Sequence, residues 1–493
     1  MACEQVTLQD VCELIVDCPH NSTKDEGVGY PLIRTPNVGR GRLILTDVHR
    51  VSQDVYERRV SRAVPRQGDL ILAREAPAGN VAIVPPGIEV CLGQRTMLLR
   101  PDSSFVVPEY LNYYLNAPEQ RDRMLRLANG ATVSHINVAD IRNMPVQLPS
   151  RGEQSKVAEL LNVLDDKIDL NNRLNDYLLE VGEMRFADLE TRGTLSKTVH
   201  IADLPHILET GKRPKGGAAS CGIPSVGAEN VKKLGEFNYS SNKYIPRTFA
   251  DNLKKGRVNG YELMIYKDGG RPGQFIPHFS MFGEGYPYKE FYINEHVFKL
   301  DFGDRGLNEF AYYYFHTPYV MKWLETNGTK AAIPGINRQN IEELEFPDPE
   351  QESVQDFCKR IQPYFTAIFR NCLENKQLQS LRDTLLPRLM SGEIDVSKVD
   401  LTQLTNNHLA GRMHWSNVIR VRAIHAVHSQ QSQIPAYESV PKVSHSPCRT
   451  ALTLGGIAPL LSWLAVSQFT AQSFAMLVVF CQVVLCGVSS ELS

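Results

Sequence analysis

Apolar positions follow two different periods along this chain, and the change from one period to the other predicts its architecture. Short apolar runs at residues 70–72, 81–84 and 97–99 are separated by Gly and Pro, a pattern typical of short strands joined by turns. After Arg151 the apolar residues recur at alternating steps of three and four, as along a helix that packs against another helix. Because the same succession occurs again in the second half, the pattern predicts an α+β chain with two β-rich globules, each followed by a long helix.

The two predicted helices carry apolar seams of similar spacing. The seam residues are Val157, Leu161, Leu164 and Ile168 in the first helix and Val354, Phe357, Ile361 and Ile368 in the second. Either each helix packs on its own globule, or the helices pair as a coiled coil that acts as a spacer between the globules. Pairing is the expected arrangement, because it buries both seams at once. The asparagines that interrupt the seams (Asn171, Asn175, Asn371 and Asn375) are typical of positions that fix helix register.

Both halves contain the same series of short motifs in the same order, at offsets of 197 to 200 residues. The first series lies at residues 111–115, 130–132, 136–137, 140–142, 148–149 and 153–154, and the second at residues 310–314, 328–330, 336–337, 340–342, 346–347 and 350–351. Shared order and spacing indicate an internal repeat. The repeat predicts a first globule over residues 1–150, a helix over 151–192, a second globule over 193–348, a helix over 349–392 and an atypical tail over 393–493.

The cysteines and the first 18 residues indicate in which cell compartment the protein is expected. The ten cysteines are scattered without a CxxC pair, which is unlike a disulfide framework or a zinc site and favours a reducing compartment. Residues 1–18 contain Glu4, Asp10 and Glu13 and lack a basic start before an apolar run, so a secretory signal is not expected. The sequence therefore predicts a cytoplasmic location.

Positive charge is concentrated in both predicted globules, although the formal net charge of the chain is −2. Residues 34–74 contain nine arginines against four acidic residues, and residues 210–275 contain twelve Lys and Arg against five. A solvated basic surface without a ligand is the alternative for any one patch. Two such patches on repeated globules favour contact with the phosphate backbone of DNA.

Several residues near turns have side chains suited to contacting DNA. Arg can bond two acceptors on a guanine edge, and Gln or Asn can do the same for adenine, whereas most contacts of this kind go to phosphate. The candidate DNA-contact residues are Arg74, Asn80, Gln94 and Arg95 in the first globule and Lys267, Arg271 and Gln274 in the second.

No arrangement of residues predicts catalysis. The sequence lacks a P-loop, and it lacks the Gly-rich turn and aromatic loop that a base methyltransferase needs. Glu374 and Lys376 resemble part of a nuclease motif but lie inside the second predicted helix, and His135 and His296 have no nucleophile at a recognisable spacing, so structural roles are expected. No catalytic residue and no metal ligand is predicted.

Three stretches resemble the specificity subunits of Type I restriction-modification systems. Residues 148–172, LPSRGEQSKVAELLNVLDDKIDLNN, are similar to that family's central region, and residues 381–396, LRDTLLPRLMSGEIDV, are similar to its C-terminal signature. Residues 74–84 resemble a recurrent stretch of its target-recognition domains. The resemblance extends over roughly residues 1 to 400.

This resemblance implies a non-catalytic subunit that reads a split target in double-stranded DNA. Two target-recognition domains would be held apart by two antiparallel helices, on which two modification subunits dock and to which restriction subunits are added. S-adenosylmethionine, ATP and Mg²⁺ would then be bound by those partners, and no cofactor by this chain. A spacer of about 25 helical residues corresponds to roughly 38 Å, about one turn of B-DNA.

The tail departs from the family pattern. Residues 450–490 contain no charged residue, and residues 454–469 and 473–486 approach the length that spans a bilayer, although glycines and Pro459 interrupt them. A fused or spurious extension, a disordered accessory tail and a membrane segment are all open, with a membrane segment least expected. The rival functions are a membrane-tethered scaffold and a standalone nuclease.

Overall fold

The structure, a computed structural model, describes residues 4–75, 78–128, 135–232, 234, 242–268, 275–284, 286, 288–328 and 334–396. It is a mixed structure of helices and sheets. The described part of the chain divides into two compact units, one formed by described residues within 4–164 and 381–396 and the other by described residues within 165–380.

The first unit is built on three sheets of short strands. Its described strands are β1 (Glu4–Thr7), β2 (Cys12–Asp17), β3 (Tyr30–Ile33), β4 (Gly41–Arg42), β5 (Arg50–Val51), β6 (Leu70–Ala73), β7 (Val81–Ile83), β8 (Cys91–Leu92), β9 (Thr96–Pro101) and β10 (Pro145–Leu148). They form sheets in the orders β2-β9-β6-β7-β4, β5-β3-β8 and β1-β10. Its helices are α1 (Gln53–Arg59), α2 (Pro108–Asn116), α3 (Pro118–Leu127), α4 (Val138–Arg142) and the start of the long α5 (Arg151–Thr191).

The second unit has a closely similar set of elements. Its described strands are β11 (Thr198–His200), β12 (Ile207–Thr210), β13 (Ile223–Val226), β14 (Lys243–Ile245), β15 (Leu263–Tyr266), β16 (Phe279–Ser280), β17 (Tyr292–Ile293), β18 (Val297–Asp301) and β19 (Glu345–Pro347). They form sheets in the orders β12-β18-β15-β16, β14-β13-β17 and β11-β19. Its helices are α6 (Arg247–Ala250), α7 (Arg305–Phe315), α8 (Pro318–Gly328), α9 (Arg338–Glu342) and most of the long α10 (Glu352–Met390).

The internal repeat predicted from the sequence is present in the topology. The sheet order β2-β9-β6-β7 corresponds to β12-β18-β15-β16, and both smaller sheets pair their outer strands in the same way, with β3·β8 and β13·β17 parallel. The strands expected near residues 70, 81 and 97 are β6, β7 and β9. The tyrosine helices align at an offset of 200, because the hydroxyls of Tyr114 and Tyr314 bond the carbonyls of Pro145 and Glu345. The expected offset of 199 for that motif is therefore wrong by one residue.

The two long helices begin and end close to where the hydrophobic seam predicts. They contain 41 and 39 residues, more than the roughly 25 residues expected for a spacer. The difference arises because part of each helix packs on a globule. The Tyr113 hydroxyl donates to Asn162 of α5 in the first unit, and Phe186 of α5 and Phe357 of α10 pack around Phe310 in the second.

All eight predicted seam residues are buried, namely Val157, Leu161, Leu164, Ile168, Val354, Phe357, Ile361 and Ile368. Within the second unit, α5 and α10 run antiparallel, because Asn171 Nδ2 donates to Asn375 Oδ1 and Asn371 Nδ2 donates to Asn175 Oδ1, each at 2.8 Å. The contact between the two helices therefore contains both hydrogen-bonded asparagines and buried apolar side chains.

Candidate functional site

A cleft of about 400 Å³ lies in the first unit, where four segments of the chain meet near the ends of strands. We call this cleft the first cleft. It is lined by His20, Arg74, Glu75, Gln94, Arg95 and His135. Two backbone bonds hold the loops together: the Arg74 N–H donates to the Arg95 carbonyl at 2.8 Å, and the Ile136 N–H donates to the Arg74 carbonyl at 3.2 Å. Strand pairing therefore unites segments that are up to 115 residues apart in the sequence, from His20 to His135.

Arg95 presents a half-exposed guanidinium to this cleft. Its backbone adopts φ +66°, a left-handed conformation that is uncommon for a residue with a side chain. The Arg95 Nε lies 3.0 Å from Glu75 Oε2, and 51% of the side chain is exposed. The carboxylate fixes one edge of the guanidinium, while the two terminal nitrogens lie outside that ion pair and can donate to a ligand.

Arg74 is held inside the globule by contrast. Only 11% of its side chain is exposed, its Nη1 lies 2.7 Å from Asp17 Oδ1, and its Nε donates to the Ile136 carbonyl at 2.9 Å. These bonds connect the end of β2, the end of β6 and the segment after residue 135. Arg74 therefore positions the cleft through its internal contacts.

The loop that carries His20 is organised by Arg59, whose side chain is buried. Arg59 donates to the carbonyls of Leu92, Asn21 and Pro19 at 2.5, 3.0 and 3.1 Å. Burial lowers the pKa of the Arg59 guanidinium. Part of the local excess of arginine is therefore structural, because Arg59 and Arg74 serve the fold of the globule.

Replacing Arg59 with alanine is expected to loosen the loop at residues 19–23. Three carbonyl groups lose their donor, so the free energy of local opening should fall by about 1–2 kcal/mol. Amide hydrogen exchange of residues 19–23 measures this change. Arg58→Ala, which removes an exposed neighbour on the same helix, is the control; equal protection of the loop in both variants would contradict the prediction.

The structure separates Asn80 from the other candidates of the first globule. The Asn80 amide donates to the Val38 carbonyl at 3.0 Å and accepts from Arg121 Nη2 at 3.1 Å. Gln94, in contrast, lines the cleft and donates to the His20 carbonyl. His135, expected to be a structural histidine, also lines the cleft, and its backbone forms a bridge with Glu75.

The second unit contains only one of its three predicted candidates among the described residues. Lys267 lies at the end of β15, where its Nζ donates to the Glu295 carbonyl at 3.2 Å and lies 5.5 Å from the centre of the Phe298 ring. Arg271 and Gln274 lie outside the described residues. Sequence reasoning missed His20 and Glu75: Glu75 lies shortly after the strand predicted at residues 70–72, whereas His20 follows a strand, β2, that was not predicted.

Among the described residues, no group of three or more His, Cys, Asp or Glu side chains is placed to hold a metal ion. In the same part of the chain, no helix is both long and apolar enough to cross a membrane. Glu374, considered above with Lys376, lies within α10 and pairs with Lys167 at 3.0 Å.

Comparison with known proteins gives a consistent set of matches. Residues 2–180 match the family described as "Type I restriction modification DNA specificity domain". The chain is 23% identical over 376 residues to the Type I restriction enzyme MjaIX specificity subunit of Methanocaldococcus jannaschii, covering 71% of this chain and 84% of that protein. It is 21% identical over 407 residues to the Type I restriction enzyme HindI specificity subunit of Haemophilus influenzae, covering 67% and 87%.

Solved structures give a more distant similarity. The S subunit of a Type I restriction-modification system from M. genitalium aligns with a TM-score of 0.46 at 14% identity, covering 79% of this chain and 96% of that chain. The HsdS subunit from Thermoanaerobacter tengcongensis aligns with a TM-score of 0.30 at 16% identity, covering 79% and 97%.

Proposed function

The chain belongs to the Type I restriction-modification DNA specificity family, and from this premise we propose that it reads a bipartite target in double-stranded DNA for partner subunits. In this proposal the chain is non-catalytic. It directs modification subunits, which are adenine methyltransferases, and restriction subunits to the target that it has bound.

The observation that carries the proposal is the duplicated globule. Two globules with the same strand order can each contact one half of a divided DNA site, because each presents loops from the same strand ends. We assign target recognition to residues 1–150 and 193–348 and a spacer role to the helices over residues 151–192 and 349–392. The antiparallel asparagine contacts between α5 and α10 support pairing of these helices.

Within the first globule, we assign base contacts to Arg95 and Gln94, because both line the cleft and Arg95 is half exposed. Arg74 and Asn80 are engaged in internal bonds, so we assign to them the positioning of the loops and not a base contact. In the second globule, Lys267, Arg271 and Gln274 are proposed as DNA contacts, with Lys267 suited to phosphate because its ammonium is a compact charge.

The partners supply the chemistry in this proposal. Two modification subunits dock on the paired helices, whose buried seams hold the spacer together, and restriction subunits join them. S-adenosylmethionine, ATP and Mg²⁺ are bound by those partners. The complex works in the cytoplasm, where it meets DNA, and residues 393–493 form a tail that target recognition does not need.

Exchanging one globule tests whether each globule recognises one half of the DNA target. We expect that replacing residues 193–348 with those of another family member changes one half of the methylated target and leaves the other half intact. The exchanged segment contains both β11 and β19, because these strands pair with each other. Long-read sequencing of methylated genomic DNA identifies the target in cells with the original chain, the exchanged chain and no chain.

The reciprocal exchange of residues 1–150 is the matched control, and it should change the opposite half. A change in both halves after one exchange, or in neither, would contradict modular recognition. A methylated target that persists without the chain would contradict the proposed function itself.

A further inference from the structure

The second unit repeats the backbone framework of the first cleft around a different set of side chains. The Lys267 N–H donates to the His296 carbonyl at 3.0 Å, and the Ile336 N–H donates to the Lys267 carbonyl at 2.7 Å. These bonds correspond to the two bonds around Arg74 described above. Backbone bridges join Asp268 to Gly335, as they join Glu75 to His135 in the first unit.

Four ionisable side chains meet on this framework. Arg213 Nη2 lies 2.7 Å from His296 Nε2 and forms an ion pair with Glu295, and Asp268 bonds the other ring nitrogen of His296. We call these four residues the Arg213 cluster. Arg213 is 48% exposed and His296 is 38% exposed, so the cluster is open to a ligand on one side.

The hydrogen-bond pattern fixes the roles within the cluster. Arginine nitrogens can only donate, so Arg213 Nη2 is the donor towards His296 Nε2, which also lies 3.3 Å from Glu295 Oε1, while Asp268 contacts Nδ1 of the same ring. Glu295 holds the guanidinium from another direction. The Arg213 side chain is therefore oriented before any ligand arrives, which lowers the entropic cost of binding.

The first cleft and the Arg213 cluster have different side chains at equivalent positions of the backbone. Arg213 follows the last residue of β12 by three positions, as His20 follows the last residue of β2. Arg95 and its carboxylate Glu75 in the first unit correspond to His296 and Asp268 in the second. Two globules that bind different DNA half-sites need different side chains on the same backbone, because base edges differ in their pattern of donors and acceptors.

We propose that Arg213 is a specificity-determining residue that reads a guanine in the half-site bound by the second globule. Glu295 and His296 are its positioning residues, and Asp268 orients His296. This inference rests on the proposed function and names the residue that would carry out recognition in the second globule. The planar guanidinium matches the O6 and N7 acceptors of guanine in the major groove.

The test replaces Arg213 in the full chain within its own cells and measures methylation by long-read sequencing at every single-base variant of the target. We expect Arg213→Ala to reduce discrimination at one G·C position of one half-site by roughly 5- to 150-fold. Arg213→Lys should lose the same discrimination, because it keeps the charge without the planar guanidinium. His296→Ala should weaken discrimination at that same position. Arg247→Ala, which removes an exposed cation outside the cluster, is the matched control and should leave discrimination unchanged.

Three outcomes would overturn the inference: unchanged discrimination in Arg213→Ala, an equal loss of methylation at all sequences, or full discrimination by Arg213→Lys. The equal loss would identify a phosphate contact, since such contacts carry no sequence information. Failure of the proposed function is a separate result, because cells with the unaltered chain would then show no methylated target that depends on it.

Discussion

Replacing Glu309 with glutamine is expected to remove a pH dependence of stability of about 3 kcal/mol. The Glu309 side chain in α7 is fully buried, and burial raises its pKa to about 7 against the attraction of Arg305, whose Nε donates to Oε1 at 2.7 Å. The other carboxylate oxygen has no hydrogen-bond partner among the described residues.

The sign of this effect follows from proton binding. Between the ordinary glutamate pKa of 4.5 and about 7, the folded chain keeps a proton on Glu309 that the unfolded chain releases. The free energy of unfolding therefore falls as pH rises through this window, and the contribution is fully lost above it. Glutamine cannot ionise, so the Glu309→Gln variant lacks this slope and should be the more stable protein at pH 8.

Urea unfolding of the full chain at several pH values from 5 to 8 measures the effect. Glu109→Gln is the matched control, because Glu109 occupies the equivalent position in α2 but is only partly buried. Its pH profile should follow that of the unaltered chain. If the Glu309→Gln variant kept the original slope, burial of this carboxyl would not be its cause.

Replacing Asn375 with leucine is expected to destabilise the second unit by about 1–3 kcal/mol. Asn375 accepts from Asn171 Nδ2 and donates to Asn172 Oδ1, each at 2.8 Å, and both Asn171 and Asn375 are buried. The single substitution leaves an N–H of the buried Asn171 amide without its acceptor inside the helix–helix contact, whereas Asn172 is exposed and can bond water. The desolvation of that N–H is then uncompensated, which is the expensive case for a buried hydrogen bond.

The double variant Asn171→Leu with Asn375→Leu should recover much of this loss, because apolar side chains then face each other across the seam. A double-mutant cycle from urea unfolding gives the coupling between the two positions. Gln379→Leu, at an exposed position of α10, is the control and should change stability by less than about 0.5 kcal/mol. Additive effects of the two single substitutions would contradict a direct interaction.

The candidate site was only partly predictable from residue types. Arg95 and Gln94 were predicted as DNA contacts because they lie at a turn between apolar runs, and both line the first cleft. Arg74 has the same sequence signal but is engaged in internal bonds. Whether an arginine faces solvent or bonds buried carbonyls depends on the neighbours that distant segments bring to it, and turn position does not record this.

The sequence by itself determined the duplicated order of elements, the positions of α5 and α10 and the buried seam that includes Ile361. These features follow from periodicity and from the repeated motifs, both of which are local properties. Only the tertiary structure decided that Arg213 meets His296 and that Glu309 is fully buried while Glu109 is not. The reason is that strand pairing and helix packing join residues far apart in the chain, and burial and hydrogen bonding depend on those partners.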